Sequence, residues 1–216
     1  MKMNEKTIET LKSLSAVSPS ILVREGNVLR TMSPMKSIYA KVKVEDNFTK
    51  KFGIYDLSQF IGVYSVFNNP SLNFKDKYLT ISDEKRNVNY YYSSEDTFKA
   101  AGEKDPPLPS VDASFTLNTN SLSEMIRISN LLKLPEIAFV GDGKNIIIKG
   151  YDHKRKEYSD GYEKVGETDQ EFTSVFRIEN ITKIIPGEYK VEVCSRGISH
   201  LVSGDIEYWI AVESFA

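Results

Sequence analysis

Cysteine is nearly absent from this chain of 216 residues: Cys194 stands alone, so no internal disulfide can form, which fits a reducing compartment. No apolar run approaches the ~20 residues needed to cross a bilayer. The opening Met1-Lys2-Met3-Asn4-Glu5-Lys6 has no apolar stretch behind it and does not read as a secretory signal. Asn47-Phe48-Thr49 and Asn180-Ile181-Thr182 match a glycosylation pattern, but without secretion the match carries no meaning. An excess of one charge is also missing, with 28 basic and 30 acidic residues and a net charge of −2. That balance excludes a simple nucleic-acid-coating protein, so any contact with DNA requires cations segregated onto one surface.

Catalytic equipment is equally sparse. The only histidines are His153 and His200, and neither has a second candidate ligand at metal spacing. His153 falls in the charged stretch Asp152-His153-Lys154-Arg155-Lys156-Glu157, where a solvated side chain is expected. Cys194 ends an alternating strand and reads as a structural thiol. Gly141-Asp142-Gly143 is followed by Ile146 where a dinucleotide fingerprint needs glycine, so it reads as a hairpin turn. Asp83-Glu84 and Glu95-Asp96 sit in turns with no basic or metal-binding companions and read as surface charge. Nothing implies an enzyme, a metal or a cofactor.

What is present is an ordinary globular balance, 40% hydrophobic and 27% charged, in a length that suits one large domain or two of roughly 100 residues. Residues 4–17 carry Ile8, Leu11 and Leu14 at helical spacing, and Pro19 ends the pattern. Strands are expected at Ile21–Val23, with a turn at Glu25-Gly26-Asn27, and at Ile38–Val44 and Phe52–Tyr55. Asp56 then caps a helix reaching about Phe67, which Asn68-Asn69-Pro70 stops. Leu72–Phe74, Tyr78–Ile81 and Val88–Tyr92 read as further strands.

Periodicity fails from Ser93 to Ser110, and the prolines at 106, 107 and 109 stiffen that run into a linker. The same order then restarts: a strand at Val111–Leu117, cap residues Asn118-Thr119-Asn120-Ser121, and a helix at Leu122–Leu132. Pro135 follows this helix as Pro19 follows the first. Strands at Ile137–Val140 and Ile146–Lys149, a polar loop, and a strand at Phe172–Phe176 come next. A short helix at Ile178–Ile185, the Pro186-Gly187 turn, and strands at Tyr189–Cys194 and Tyr208–Val212 complete the set. The strand-to-helix joint Tyr55-Asp56-Leu57-Ser58-Gln59-Phe60 recurs as Phe176-Arg177-Ile178-Glu179-Asn180-Ile181. The expected fold class is therefore α+β, duplicated, each half placing two helices on antiparallel sheet. The division is residues 1–92, a linker at 93–110, and residues 111–216.

Helical projection gives each helix an outer face. The first buries Ile8, Leu11 and Leu14 and exposes Lys2, Lys6 and Lys12, with Glu5 and Glu9 nearby. The second buries Leu57, Phe60, Ile61 and Tyr64 and leaves Ser58, Gln59 and Gly62 outward. The third buries Leu122, Met125, Ile126, Ser129 and Leu132 and centres Arg127 on its exposed side, between Ser123 and Asn130. The fourth buries Ile178, Ile181 and Ile185 and exposes Asn180 and Lys183. These faces are basic or neutral in a slightly acidic molecule, the asymmetry that touching phosphates on one surface requires. Solvated helix faces would look the same.

Several segments taken together resemble the DNA sliding clamps of T-even-type bacteriophages. They are Ile54-Tyr55-Asp56-Leu57 with Phe60, Gly62 and Ser65; Leu122 to Leu132 around Arg127-Ile128-Ser129; Pro186-Gly187-Glu188-Tyr189-Lys190; and Tyr208-Trp209-Ile210-Ala211-Val212-Glu213. The resemblance covers essentially the whole chain and rests on structural motifs in a shared order. It implies a homotrimer of two-domain subunits, with sheets forming an outer wall and helices lining a hole around duplex DNA. It further implies tethering of the replicative DNA polymerase, loading by an ATP-dependent clamp loader, and action in the cytoplasm of an infected bacterium. Late-transcription factors are possible additional partners in that family. No membrane contact is implied.

Carried onto this sequence, the resemblance assigns the DNA-facing role to Lys6, Lys12, Arg127 and Lys183, with Lys2 and Lys133 alongside. Glu5 and Glu9 dilute the first helix's charge, and Asn130 is neutral where another cation fits the pattern. A partner's short tail is expected in an apolar pocket beneath the linker, with Trp209, Ala211 and Val212 as lining and Leu108 and Pro186 nearby. Edge strands of the two different domains are expected to pair head to tail between subunits. The competing reading is a virion structural or adaptor protein that uses similar duplicated sheets without DNA.

Overall fold

The computed structural model describes residues 1–155, 161–194 and 196–214. The chain divides into two compact units, Met1–Asp105 and Pro106–Ala216.

In the first unit, α1 (Glu5–Val17) begins where the Asn4 side chain accepts from the Lys6 amide at 2.9 Å. Thr7, Leu11, Leu14 and Val17 recur on its inner stripe and are buried, while Ile8 is only half-buried. Each fully buried leucine of this kind contributes about 1.5–3 kcal/mol. Three strands follow, β1 (Ile21–Val23), β2 (Gly26–Met32) and β3 (Ile38–Phe48), then β4 (Phe52–Ile54). β1 pairs with β4 and β2 with β3, all antiparallel. Asp56 caps α2 (Leu57–Ser65), its carboxylate accepting from the Gln59 amide at 2.8 Å. A meander of β5 (Ser71–Phe74), β6 (Tyr78–Ser82) and β7 (Asn87–Tyr91) completes the unit, with β7 at an open edge.

The second unit runs β8 (Ala113–Asn118), α3 (Thr119–Leu131), β9 (Glu136–Asp142), β10 (Asn145–Tyr151), β11 (Tyr162–Glu167), β12 (Glu171–Arg177), α4 (Ile178–Ile181), β13 (Glu188–Val193), β14 (Ile198–Ser203) and β15 (Ile206–Ala211). One antiparallel sheet has the order β11-β10-β9-β12, and β15, β14, β13 and β8 are antiparallel neighbours in another. Asn118 caps α3, and Thr119, Leu122, Met125, Ile126 and Ser129 form its buried face. Gly150 lets β10 pass under this helix, since a Cβ there would lie 2.5 Å from Ser129 Oγ.

The unit is thus a strand, a helix and three strands, written twice. The first unit follows the same plan with its opening strand reduced to the terminus. There the Met1 carbonyl accepts from the Leu72 amide at 2.7 Å, and the Met1 ammonium donates to the Leu72 carbonyl at 2.8 Å.

Several elements differ from expectation. β2 was not expected, because Glu25-Gly26-Asn27 reads as a turn and Arg30 and Thr31 dilute the pattern; Gly26 does take a positive φ of 103°. β11 and β14 were not expected either, because each mixes polar residues into a short strand. β3 runs on to Phe48. The fourth helix is a single turn ending at Ile181, so the helical projection does not hold beyond it: Asn180 is buried at 5% exposure, and Ile178 and Ile185 are half-buried. Leu132, past the end of α3, is also only half-buried.

The stretch expected to be structureless contains a 3₁₀ turn at Glu95–Thr97 and is tied down near its middle. Arg24 donates to the Ala101 carbonyl at 2.8 Å, Tyr39 Oη donates to the Gly102 carbonyl at 2.9 Å, and Lys41 pairs with Asp105 at 2.8 Å. The turn at Gly143 is as expected: its φ is +80°, and Asp142 accepts from the amides of Lys144 and Asn145 at 2.9 and 2.6 Å.

Candidate nucleic-acid and partner surfaces

The nominated cations reach the surface by different routes. Lys2, Lys6 and Lys12 are exposed, the last two on the outer side of α1. Lys6 is shared with Glu45 of β3, whose carboxylate lies 3.3 Å from its Nζ, and Glu5 and Glu9 are exposed on the same helix. An exposed pair of this kind contributes about 0–1 kcal/mol, so it dims the field of Lys6 without fixing the side chain. Arg127 is exposed on α3 between exposed Ser123 and Asn130, as helical spacing requires.

The same face of α3 also shows Glu124, Ile128 and, at 76% exposure, Leu131. It is therefore less purely basic than the sequence projection allowed. Lys133 sits just past the helix with φ +57°, the left-handed geometry that ends helices. Lys183 is half-buried and lies beyond the one-turn α4.

Lys133 also lines an open cavity of about 960 Å³ with Pro135, Glu136, Asp152, Lys154 and Arg177. Its carboxylates are already engaged. His153 donates its backbone amide to Glu136 at 3.1 Å, with Nδ1 2.7 Å from the other Glu136 oxygen. Arg155 holds Asp152 at 2.8 Å, and Arg177 holds Glu213 at 2.9 Å. The expectation of a freely solvated His153 is thus corrected: the buried Glu136 needs polar partners, and His153 supplies two of them. Among the described residues no cluster of His, Cys, Asp and Glu has the make-up of a metal site. Among the described residues no helix is long and apolar enough to cross a membrane.

The nominated partner residues do not all come together. Trp209 and Ala211 point to one face of β15, Trp209 buried at 4% exposure and Ala211 half-buried. Val212 is buried, and its amide donates to the Gly197 carbonyl at 2.9 Å. Pro186 is exposed beside Gly187, whose neighbour is Ser203, at the other end of the sheet. The length of β15, about 20 Å, separates that end from Val212. Leu108 is half-buried, and the segment after it is held by the Asp112 amide donating to the Val193 carbonyl at 2.8 Å.

Sequence reasoning gave His200 no role. It stacks on Trp209 with ring centroids 4.4 Å apart and lies between the carboxylates of Glu192 and Glu207. Cross-strand register was the signal that locates it, and β14 was not foreseen.

Comparison with known proteins finds similarity to one group. Residues 2–97 match the family described as DNA polymerase processivity factor. The sliding clamp of Vibrio phage KVP40 is 27% identical over 221 residues, covering 99% of this chain and all of that protein. The sliding clamp of Enterobacteria phage T4 is 24% identical, covering 91% of this chain and 89% of that one. In sequence, this chain is similar to the phage sliding clamps along nearly its whole length.

Solved clamps agree on architecture. PCNA of A. fulgidus, bound to the C-terminal region of FEN-1, superposes with a TM-score of 0.70 at 13% identity, covering 97% of this chain and 95% of that one. The β subunit of DNA polymerase III from Pseudomonas aeruginosa gives 0.71 at 12% identity over 98% of this chain and 64% of its own. The duplicated α+β plan is the clamp fold.

Proposed function

We propose that three copies of this chain close into a ring around duplex DNA and tether the replicative polymerase, after opening and loading by an ATP-dependent clamp loader. The observation that carries this reading is the repeated plan of strand, helix and three strands, which puts a solvent-facing helix surface with cations in each unit: Lys6 and Lys12 on α1, Arg127 on α3. Lys2, Lys133 and Lys183 add to that surface. A ring holds DNA by topology, so its phosphate contacts need only be weak, and a net charge of −2 with acidic residues among the cations suits sliding better than gripping.

Closure falls to two open strand edges. β7 in the first unit has exposed Val88 and Tyr91, and β11 in the second has exposed Tyr162. Unprotected edges with exposed aromatics invite pairing. β7 of one copy against β11 of the next is a head-to-tail contact whose rotation closes a ring. Trp209, Ala211 and Val212 carry the surface for the polymerase or loader tail, with Leu108 on the segment that leads into the unit and Pro186 left outside at the other end of the sheet, and late-transcription factors are further candidates for it. The protein works without catalysis, cofactor or metal, in the cytoplasm of the infected host.

Sedimentation equilibrium tests the assembly. The reading expects three times the chain's 24.5 kDa. A monomer at all concentrations, with no association in the presence of loader and DNA, favours a structural or adaptor role in its place.

A further inference from the structure

His200 stands at the middle of three strands in register. Its Cα partners are Glu192 on β13 and Trp209 on β15, so all three side chains project from one face. His200 Nδ1 lies 3.1 Å from Glu192 Oε2, and Nε2 lies 3.1 Å from Glu207 Oε2. The imidazole lies over the indole of Trp209 at 4.4 Å with 21° between the planes.

A neutral imidazole carries one N–H and donates to one carboxylate only, leaving its other nitrogen lone pair facing a carboxylate lone pair. The imidazolium donates to both. A cation over an indole face is favourable in its own right. The other charged neighbour on β13 is Lys190, whose Nζ lies 2.6 Å from Glu192 Oε1; with a smaller contribution from His200, it holds that carboxyl below its usual range. On β15 the facing charge is Glu207, and Arg196 is exposed in the turn before β14. Ile198 and Val202, which share the face with His200 on β14, are uncharged.

We propose that His200 is a proton-controlled positioning residue for Trp209: bridged to both carboxylates it holds the indole stacked, and on losing one proton it releases one carboxylate and with it the stack. The consequence for partner binding rests on the proposed role of Trp209 in the partner surface; the protonation step itself does not.

Trp209 is the single tryptophan, so emission of the full-length protein reads this site alone. A cationic ring in contact with indole quenches it more strongly than a neutral ring. Wild-type emission is expected to rise in one step as pH is raised, because the neutral ring is the weaker quencher. His200→Gln is expected to lose the step. Glu207→Gln, which removes one acceptor of the bridge, is expected to move the step to lower pH. A flat wild-type profile, a step that persists in His200→Gln, or an unmoved step in Glu207→Gln overturns the proposal. Should His200→Gln fold poorly, the other two profiles still decide. No partner or DNA is present in this measurement, so its outcome is independent of whether the chain closes a ring or binds a tail at Trp209.

Discussion

The amide of Leu57 donates to the carbonyl of Pro19 at 2.7 Å, and the second unit repeats the bond, Ile178 to Pro135, at 3.1 Å. In each unit a proline shortly beyond the end of the first helix is fastened to the first residue of the second. The repeated prolines and the repeated strand-to-helix joint, read from sequence as two signs of duplication, are the two ends of one hydrogen bond.

That joint is capped differently in the two units. Asp56 caps α2 with its side chain, whereas Arg177 offers α4 no side-chain cap. Asp56→Ala should therefore cost about 1 kcal/mol. Thermal unfolding should shift down by about 2–4 °C for a chain of this size. Arg177→Ala should show no capping loss, only that of its exposed contacts with Glu213 and Glu179.

Arg127 should act on DNA and not on assembly. Arg127→Glu is expected to weaken loading or processivity, with sedimentation mass unchanged. Replacement by Ala should lower the salt slope of DNA association by about 1 if one phosphate contact is lost. Unaltered processivity in the Glu variant removes Arg127 from the DNA-facing set.

Acid sensitivity should trace in part to Asp83. The Lys85 amide donates to its carboxylate and, with the Arg86 side chain and the amides of Asn68 and Arg86, pulls its pKa down to about 2. A depressed carboxyl stabilises the fold fully above its unfolded value, about 3.9, and that contribution is lost as pH falls through about 2. Urea melts of Asp83→Asn and wild type should differ at neutral pH and converge between about pH 4 and pH 2.

The two edges should be separable from the DNA surface. Tyr91→Lys on β7, or Tyr162→Lys on β11, should lower the assembled fraction at fixed concentration while the monomer keeps its circular dichroism spectrum. A pair of such variants, one on each edge, should fail to complement when mixed in excess over wild type, because every junction in a head-to-tail ring needs one edge of each kind. Retained mass in both single variants assigns closure to other surfaces.

Much of the fold was legible because apolar periodicity is strong where burial is one-sided. α1, α2 and α3 and the caps at Asp56 and Asn118 follow from it, while the cap at Asn4 came from the structure. β11 was illegible because an edge strand buries little: Tyr-Glu-Lys-Val-Gly-Glu contains one aliphatic residue. α4 was overread because Ile178, Ile181 and Ile185 keep helical spacing, yet the chain leaves the helix after one turn, and Asn180 turns inward. The cationic residues were visible as residues, but their pairing was not: Lys6 with Glu45 and Lys41 with Asp105 join positions far apart in the chain. The Glu192–His200–Glu207 bridge depends on cross-strand register, which no single strand encodes.

Release from DNA of different topology tests the central claim most directly. Protein loaded by the clamp loader should stay on a closed circle through a high-salt wash and leave promptly once the circle is cut, since salt screens phosphate contacts but cannot unthread a ring. Equal loss from the circle and from the linear form would contradict encirclement.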